Sequence, residues 1–172
     1  DNTDNTMIVA TKDALDKNQM VKELSSSLGG MSEDDKSTIL DGAITFRSLC
    51  ANCHGADGKG IVTGGTTMAA PPLVGASPLR LSEKYTAMRI LLGGLTGPIG
   101  VKTYSSEMPS MAANGDGWIA DVLSYARYEF GNKAPGKKSV SPIVKRDEVK
   151  KMREEMKGRT KPWTLEELKK IK

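Results

Sequence analysis

Cys50-Ala51-Asn52-Cys53-His54 holds both cysteines and the one histidine of a 172-residue chain within five positions. A structural zinc site usually draws four Cys or His ligands, and this chain offers three. A zinc ribbon is disfavoured on that count alone. A thioredoxin-type redox pair places Cys-x-x-Cys at a helix start after an apolar β-branched strand, and no such strand flanks these residues. The plainest alternative is a coincidental cysteine pair beside a surface histidine.

The string Cys-x-x-Cys-His is the attachment signal of c-type haem, in which Cys50 and Cys53 hold the ring by thioethers and His54 supplies the proximal imidazole. Composition points the same way. With 38% apolar residues and only 5% aromatic, the side chains offer few bulky groups, so a prosthetic group is expected to fill the middle. The length fits one domain, or a small one with sizeable extensions. A net charge of +4 is too mild to imply nucleic acid. No run approaches the roughly 18 apolar residues of a membrane span. The start, DNTDNTMIVATKD, has neither the charged head nor the apolar middle of an export signal and lacks an initiator Met. A processed chain, or a piece of a longer one, is expected.

An electron-carrying haem iron needs a second axial ligand, and with no other histidine the candidates are thioethers. Of nine methionines, Met7, Met20 and Met31 precede the attachment site, and Met152 and Met156 recur at core spacing on a charged C-terminal helix. Those five read as packing. Met88 falls inside a helical stretch, and Met68 just before Ala69-Ala70-Pro71-Pro72. Met108 stands in a polar loop, Tyr104 to Met111, where Pro109 removes a backbone donor and biases Met108 to an extended conformation. Met108 is the expected ligand and Met111 the alternative.

The hydrophobic pattern predicts an all-α fold. Ser32 caps a helix whose Ile39, Ala43, Phe46 and Leu49 recur at helical steps and which ends at the cysteines. Ser82 caps a second, with Tyr85, Met88, Ile90, Leu91 and Leu92, closed by Gly93-Gly94. Asp116 caps a third, with Ile119, Val122, Leu123, Ala126 and Phe130, terminated by Gly131. Between them lie Gly- and Pro-rich loops without strand alternation.

In this order the chain resembles the class I c-type cytochromes, particularly bacterial periplasmic mono-haem domains. The resemblance covers residues 40 to 132: Gly42 and Phe46, then CANCHGADGKG at 50–60, Ala70-Pro71-Pro72-Leu73, RILLGGLTGPIG at 89–100, EMPSM at 107–111 and WIADVLSYARYEFGN at 118–132. It implies a cytochrome c fold around one covalent haem. Pro72 would pack on the proximal imidazole while its backbone neighbours fix the ring. The Met108-Pro109 pair would supply the sixth ligand, and the first and last helices would cross at Gly42, Phe46 and Tyr125. Residues 95 to 101, with Leu95 and Ile99, would cover one haem edge. Arg89, Tyr85, Lys102 and Tyr104 are candidate propionate contacts.

Helical extensions are expected on both sides of the haem domain: residues 1–31 before it, 32–135 forming it, and 136–172 after it. Residues 11 to 28 read as an amphipathic helix with Leu15, Val21, Leu24 and Leu28, stopped by Gly29-Gly30. A basic linker at 136–142 leads to a charged helix carrying Val149, Met152 and Met156. Thr164 and Glu167 form a capping box with Trp163 and Leu168 as its hydrophobic staple. The tail is expected to wrap the haem domain, with docking to a partner subunit as the runner-up.

Two protein ligands would leave no vacant iron position, which favours one-electron transfer over oxygen chemistry. The chain is therefore expected to be a carrier and no enzyme, periplasmic or otherwise exported, since attached haem cysteines belong outside the cytoplasm. Its partners would be a dehydrogenase donor and a respiratory acceptor, an oxidase or another cytochrome. A haem enzyme or gas sensor with a labile methionine, and a thiol–disulfide protein without haem, are the other classes.

Overall fold

The computed structural model describes residues 18–80, 83–131 and 141–171. Residues 18–27 form helix α1, and Leu28 behind it is buried. Helix α2 spans Glu33–Thr45. It starts where expected, because the Ser32 hydroxyl accepts the Asp35 amide and three acidic residues occupy its first turn. The helical path continues through a π-helical segment, Phe46–Cys50, into α3, Ala51–His54. Then follow α4 (Lys84–Gly93), α5 (Asp116–Phe130), α6 (Arg146–Glu155) and α7 (Leu165–Lys170). The fold is mainly helical. No helix among the described residues is long and apolar enough to cross a membrane.

The core is the crossing of α2 and α5, where Ile39, Ala43 and Phe46 meet Ile119, Val122, Leu123, Tyr125 and Ala126. Gly42 makes the approach possible: a Cβ there would lie 2.0 Å from the Asp121 carbonyl oxygen and 2.8 Å from the Tyr125 Cβ. Phe46 then stacks obliquely on Tyr125 and Phe130, at ring separations of 5.5 and 5.1 Å. Helix α4 closes the other flank with Ala87, Met88, Leu91 and Leu92 buried.

Four local expectations need correction. Leu49 is 45% exposed and outside the core. The wider π turn over Phe46–Cys50 breaks the 3.6-residue period that put Leu49 on the Phe46 face. Tyr85 is likewise exposed, with the Lys84 ammonium over its ring, rather than on the buried face of α4. Gly115, not Asp116, is the N-cap of α5; Asp116 sits in the first turn, where its carboxylate accepts a 2.6 Å bond from Arg153. The loops also carry one short antiparallel ladder, β1 (Val62–Thr63) with β2 (Thr67–Met68). Ser82, Leu15, Met7 and most of the basic linker lie outside the described residues.

The C-terminal segment packs on the helical core. Two buried polar residues of α5 receive it. The Ser124 hydroxyl accepts the Val144 amide at 2.9 Å, and Arg127 donates to the carbonyls of Pro142, Arg80 and Ser141. Pairing explains why a 1% exposed arginine is tolerated there. Helix α6 buries Val149 and Met152 and is pinned by Lys84–Glu148 and Arg153–Asp116 ion pairs. Burial opposes ionisation of Glu148, but the Lys84 ammonium and the Lys145 amide outweigh it and hold its pKa below the usual 4.5. This carboxylate therefore stabilises the docked α6 above its ordinary pKa, and that contribution disappears as pH falls through the lowered folded value. Amide protection in α6, measured relative to intrinsic exchange at each pH, should fall on acidification ahead of that in α5. Glu148→Gln should remove that acid dependence; an unchanged profile would count against the pair as the anchor.

Candidate functional site

Cys50, Cys53 and His54 occupy one continuous helical run, so positions i, i+3 and i+4 fall on one face. Both thiols are free and half-buried. Burial pushes the Cys50 thiol up to about 11, the opposite of the lowered pKa that a disulfide-exchange cysteine requires. Among the described residues no three His, Cys, Asp or Glu side chains converge on a point where an ion could sit, this trio included.

Beyond His54 the chain folds back on the helix end. The amides of Gly60 and Ile61 donate to the carbonyls of His54 and Cys53, and Leu73 donates to Gly58 at 2.7 Å. That closed loop carries Pro71 to the imidazole, whose Nδ1 lies 3.2 Å from the Pro71 carbonyl oxygen. A carbonyl can only accept, so Nδ1 carries the proton and Nε2 keeps its lone pair. Burial also lowers the His54 pKa, while the Pro71 bond opposes the shift. The residue holding the ring is thus Pro71, and Pro72 beside it is exposed. Pro71 is one of the backbone neighbours of Pro72 to which the resemblance gives the fixing of the ring.

The methionine loop is tied to this loop by backbone. Ser105 and Ser106 donate to the carbonyls of Met68 and Ala69 at 3.0 and 3.2 Å, and the Thr63 and Ser105 hydroxyls lie 2.9 Å apart. Three residues on, Met108 pairs with Leu95 as an antiparallel bridge, with N–H···O distances of 3.0 and 2.9 Å. Met108 is half-buried and touches both hydrophobic clusters of the molecule. Met111 docks instead on α4, its amide donating to the Leu91 carbonyl at 2.8 Å. Met88 is fully buried in the core, and Met68 folds over Gly60 on the His54 loop.

Leu95, Ile99 and Met108 are brought together: Leu95 is buried, and Ile99 packs on the same cluster while its amide pairs with the Lys102 carbonyl. Tyr104 is half-buried next to the Ser105 ladder. The Arg89 guanidinium lies 3.6 Å from Glu155 of α6. Lys102 is exposed. One neighbour of this group was not foreseen. Trp163 bridges Leu95 from the side opposite Met108. It lies 68 positions downstream of Leu95, and no local pattern marks that contact.

The donor set fits a covalent haem. Two unpaired thiols share a helical face with a neutral histidine whose Nε2 is free, and thioethers stand on a loop tied to that of the histidine. No protein-family model matches the chain. It is 30% identical over 122 residues to the cytochrome c subunit of alcohol dehydrogenase (quinone) from Gluconacetobacter polyoxogenes. The same values hold for that subunit from Komagataeibacter europaeus; each alignment covers 69% of this chain and 25% of the relative. The Gluconobacter oxydans subunit is 32% identical over 107 residues, 60% of this chain and 21% of the relative.

The chain is thus similar to a part of these cytochrome c subunits. It spans about a quarter of the length of these curated relatives. Their names support a cytochrome c domain and agree with the expectation of an electron carrier and no enzyme.

Proposed function

We propose that this chain is a class I, mono-haem c-type cytochrome domain that relays single electrons from a dehydrogenase to a respiratory acceptor outside the cytoplasm. The carrying observation is the His54 Nδ1 to Pro71 contact, which leaves Nε2 as a ligand of fixed tautomer. Cys50 and Cys53 would hold the ring, and His54 and Met108 would ligate the iron. When bound, the haem supplies a reversible Fe(III)/Fe(II) couple. The protein's part is to hold His54 neutral through burial and to fix its tautomer through the Pro71 carbonyl. It also presents a soft thioether at Met108, and the 95–101 loop limits water around it. The relatives' name, alcohol dehydrogenase cytochrome c subunit, supports a dehydrogenase as donor.

Intact mass tests the attachment. From cells competent in cytochrome maturation, the chain should carry one haem increment that survives acid–acetone extraction. Cys53→Ser should leave at most one thioether and a much lower yield. A bare polypeptide mass from such cells would overturn the reading. Carbon monoxide separates the gas-sensor class: a carrier with Met108 bound should leave its ferrous spectrum unchanged under the gas.

A further inference from the structure

The C-terminal arm pairs with the Leu95 strand that also holds the methionine loop, and there it completes a ladder. Leu95 is a central rung: its amide and carbonyl serve Met108, while on its other side Thr96 donates to the Trp163 carbonyl at 2.8 Å and Trp163 donates to Gly94 at 3.0 Å. Without residue 163 the Thr96 amide and the Gly94 carbonyl would lose these partners. The adjacent glycines seat the two flanking chains. At Gly93 a Cβ would strike the Trp163 ring at 2.7 Å; at Gly94, with φ +80°, it would strike the Met108 carbonyl oxygen at 2.8 Å. One glycine admits the indole and the other admits the methionine backbone.

The indole is fixed in turn. It is 8% exposed, packed with Leu95 and Leu168, and Met108, Met156 and Ile99 border the same cluster. The Arg159 guanidinium lies 3.4 Å over the ring, held by Glu167 and the Pro162 carbonyl, each at 3.0 Å. The Thr164–Glu167 capping box orients α7 so that Leu168 closes the cluster.

We infer that Trp163 is a positioning residue for the sixth iron ligand: through the Met108–Leu95–Trp163 ladder, the C-terminal arm holds the methionine loop against release of the thioether. This rests on Met108 being that ligand. Trp163 acts by confining the backbone that carries Met108. The arm elsewhere serves stability, through Val149 and Met152 under α6. Among the described buried residues of the arm, Trp163 alone joins the ladder.

The test uses the full chain with haem attached, in its ferric state, and exogenous imidazole, whose nitrogen replaces the thioether sulfur one for one. The indole packing seats the two backbone hydrogen bonds of residue 163 and thereby opposes that opening. Trp163→Ala should therefore raise imidazole affinity about tenfold or more and speed amide exchange at Met108 by a similar factor. Trp163→Phe keeps an aromatic ring on Gly93 and should stay within about threefold of the parent. Met152→Ala, which loosens α6 away from the ladder, should lower the denaturation midpoint while leaving imidazole affinity near that of the parent. Parent-like imidazole binding and exchange in Trp163→Ala would overturn the inference, as would equal effects from Met152→Ala. A parent that binds imidazole as readily as Met108→Ala would instead overturn the ligand assignment. Exchange at the Met108 amide would then still report whether Trp163 holds the loop.

Discussion

Gly42→Ala should destabilise the protein by about 3 kcal/mol or more, an effect opposite in sign to the same change in an exposed helix. Inside a helix the substitution ordinarily gains about 0.5–1 kcal/mol, because alanine loses less backbone entropy and leaves less backbone exposed. Here the new methyl would sit 2.0 Å from the Asp121 oxygen and 2.6 Å from its carbonyl carbon. These are backbone atoms in the middle of α5, so no rotamer change can clear them. The helices must separate, and Phe46 must then leave its contacts with Tyr125 and Phe130. Gly117→Ala is the control: the nearest atoms to its Cβ would be those of the Arg146 guanidinium at 3.0–3.3 Å, the far end of a flexible side chain. Urea denaturation of both variants decides the matter. Equal midpoints for Gly42→Ala and the parent would mean that the close crossing does not support the fold.

Much of the helical frame was legible because it is local. Ser32 announces α2 by a hydroxyl that can accept the Asp35 amide, and Ile39, Ala43 and Phe46 share a face by periodicity alone. Thr164 and Glu167 form their box within four residues. The misreadings have physical causes. Leu49 followed a period that the π turn interrupts, and Asp116 resembled a cap although its carboxylate is engaged by Arg153 from α6. An ion pair across 37 positions leaves no trace in a window of ten residues. At the site, residue types were readable and partners were not. Cys50, Cys53 and His54 stand together in the chain, whereas the acceptor Pro71 and the bridge from Trp163 depend on how loops close.

Among the methionines, Met108→Ala should change the iron most and Met111→Ala least. The two residues lie three apart in one loop and are both half-buried, so exposure does not separate them. Their backbones do. Met111 is bound to the end of α4 through the Leu91 carbonyl, and Ser110 donates to the Leu92 carbonyl at 2.5 Å, which fixes that part of the loop on the core. Met108 is held extended between Leu95 and the Pro109 restriction, on the stretch that begins at the Met68–Ala69 ladder beside the His54 loop. A thioether favours Fe(II), because soft neutral sulfur donates weakly to the harder Fe(III). Its loss should lower the reduction potential or open the iron to water and carbon monoxide. A fall of about 60 mV corresponds to about 1.4 kcal/mol for a one-electron couple, a tenfold change in equilibrium constant. Losing a ligand should exceed that. Met108→His should keep six-coordination and still shift the potential downward, since imidazole supports the oxidised state better. Met111→Ala should leave spectrum and midpoint nearly unchanged, because it removes packing at the foot of α4. Redox titration of the three variants beside the parent measures all of this. If Met108→Ala keeps the parent's low-spin ferric spectrum while Met111→Ala loses it, the ligand lies three residues on. The Leu95 bridge would then hold the loop for some purpose other than ligation.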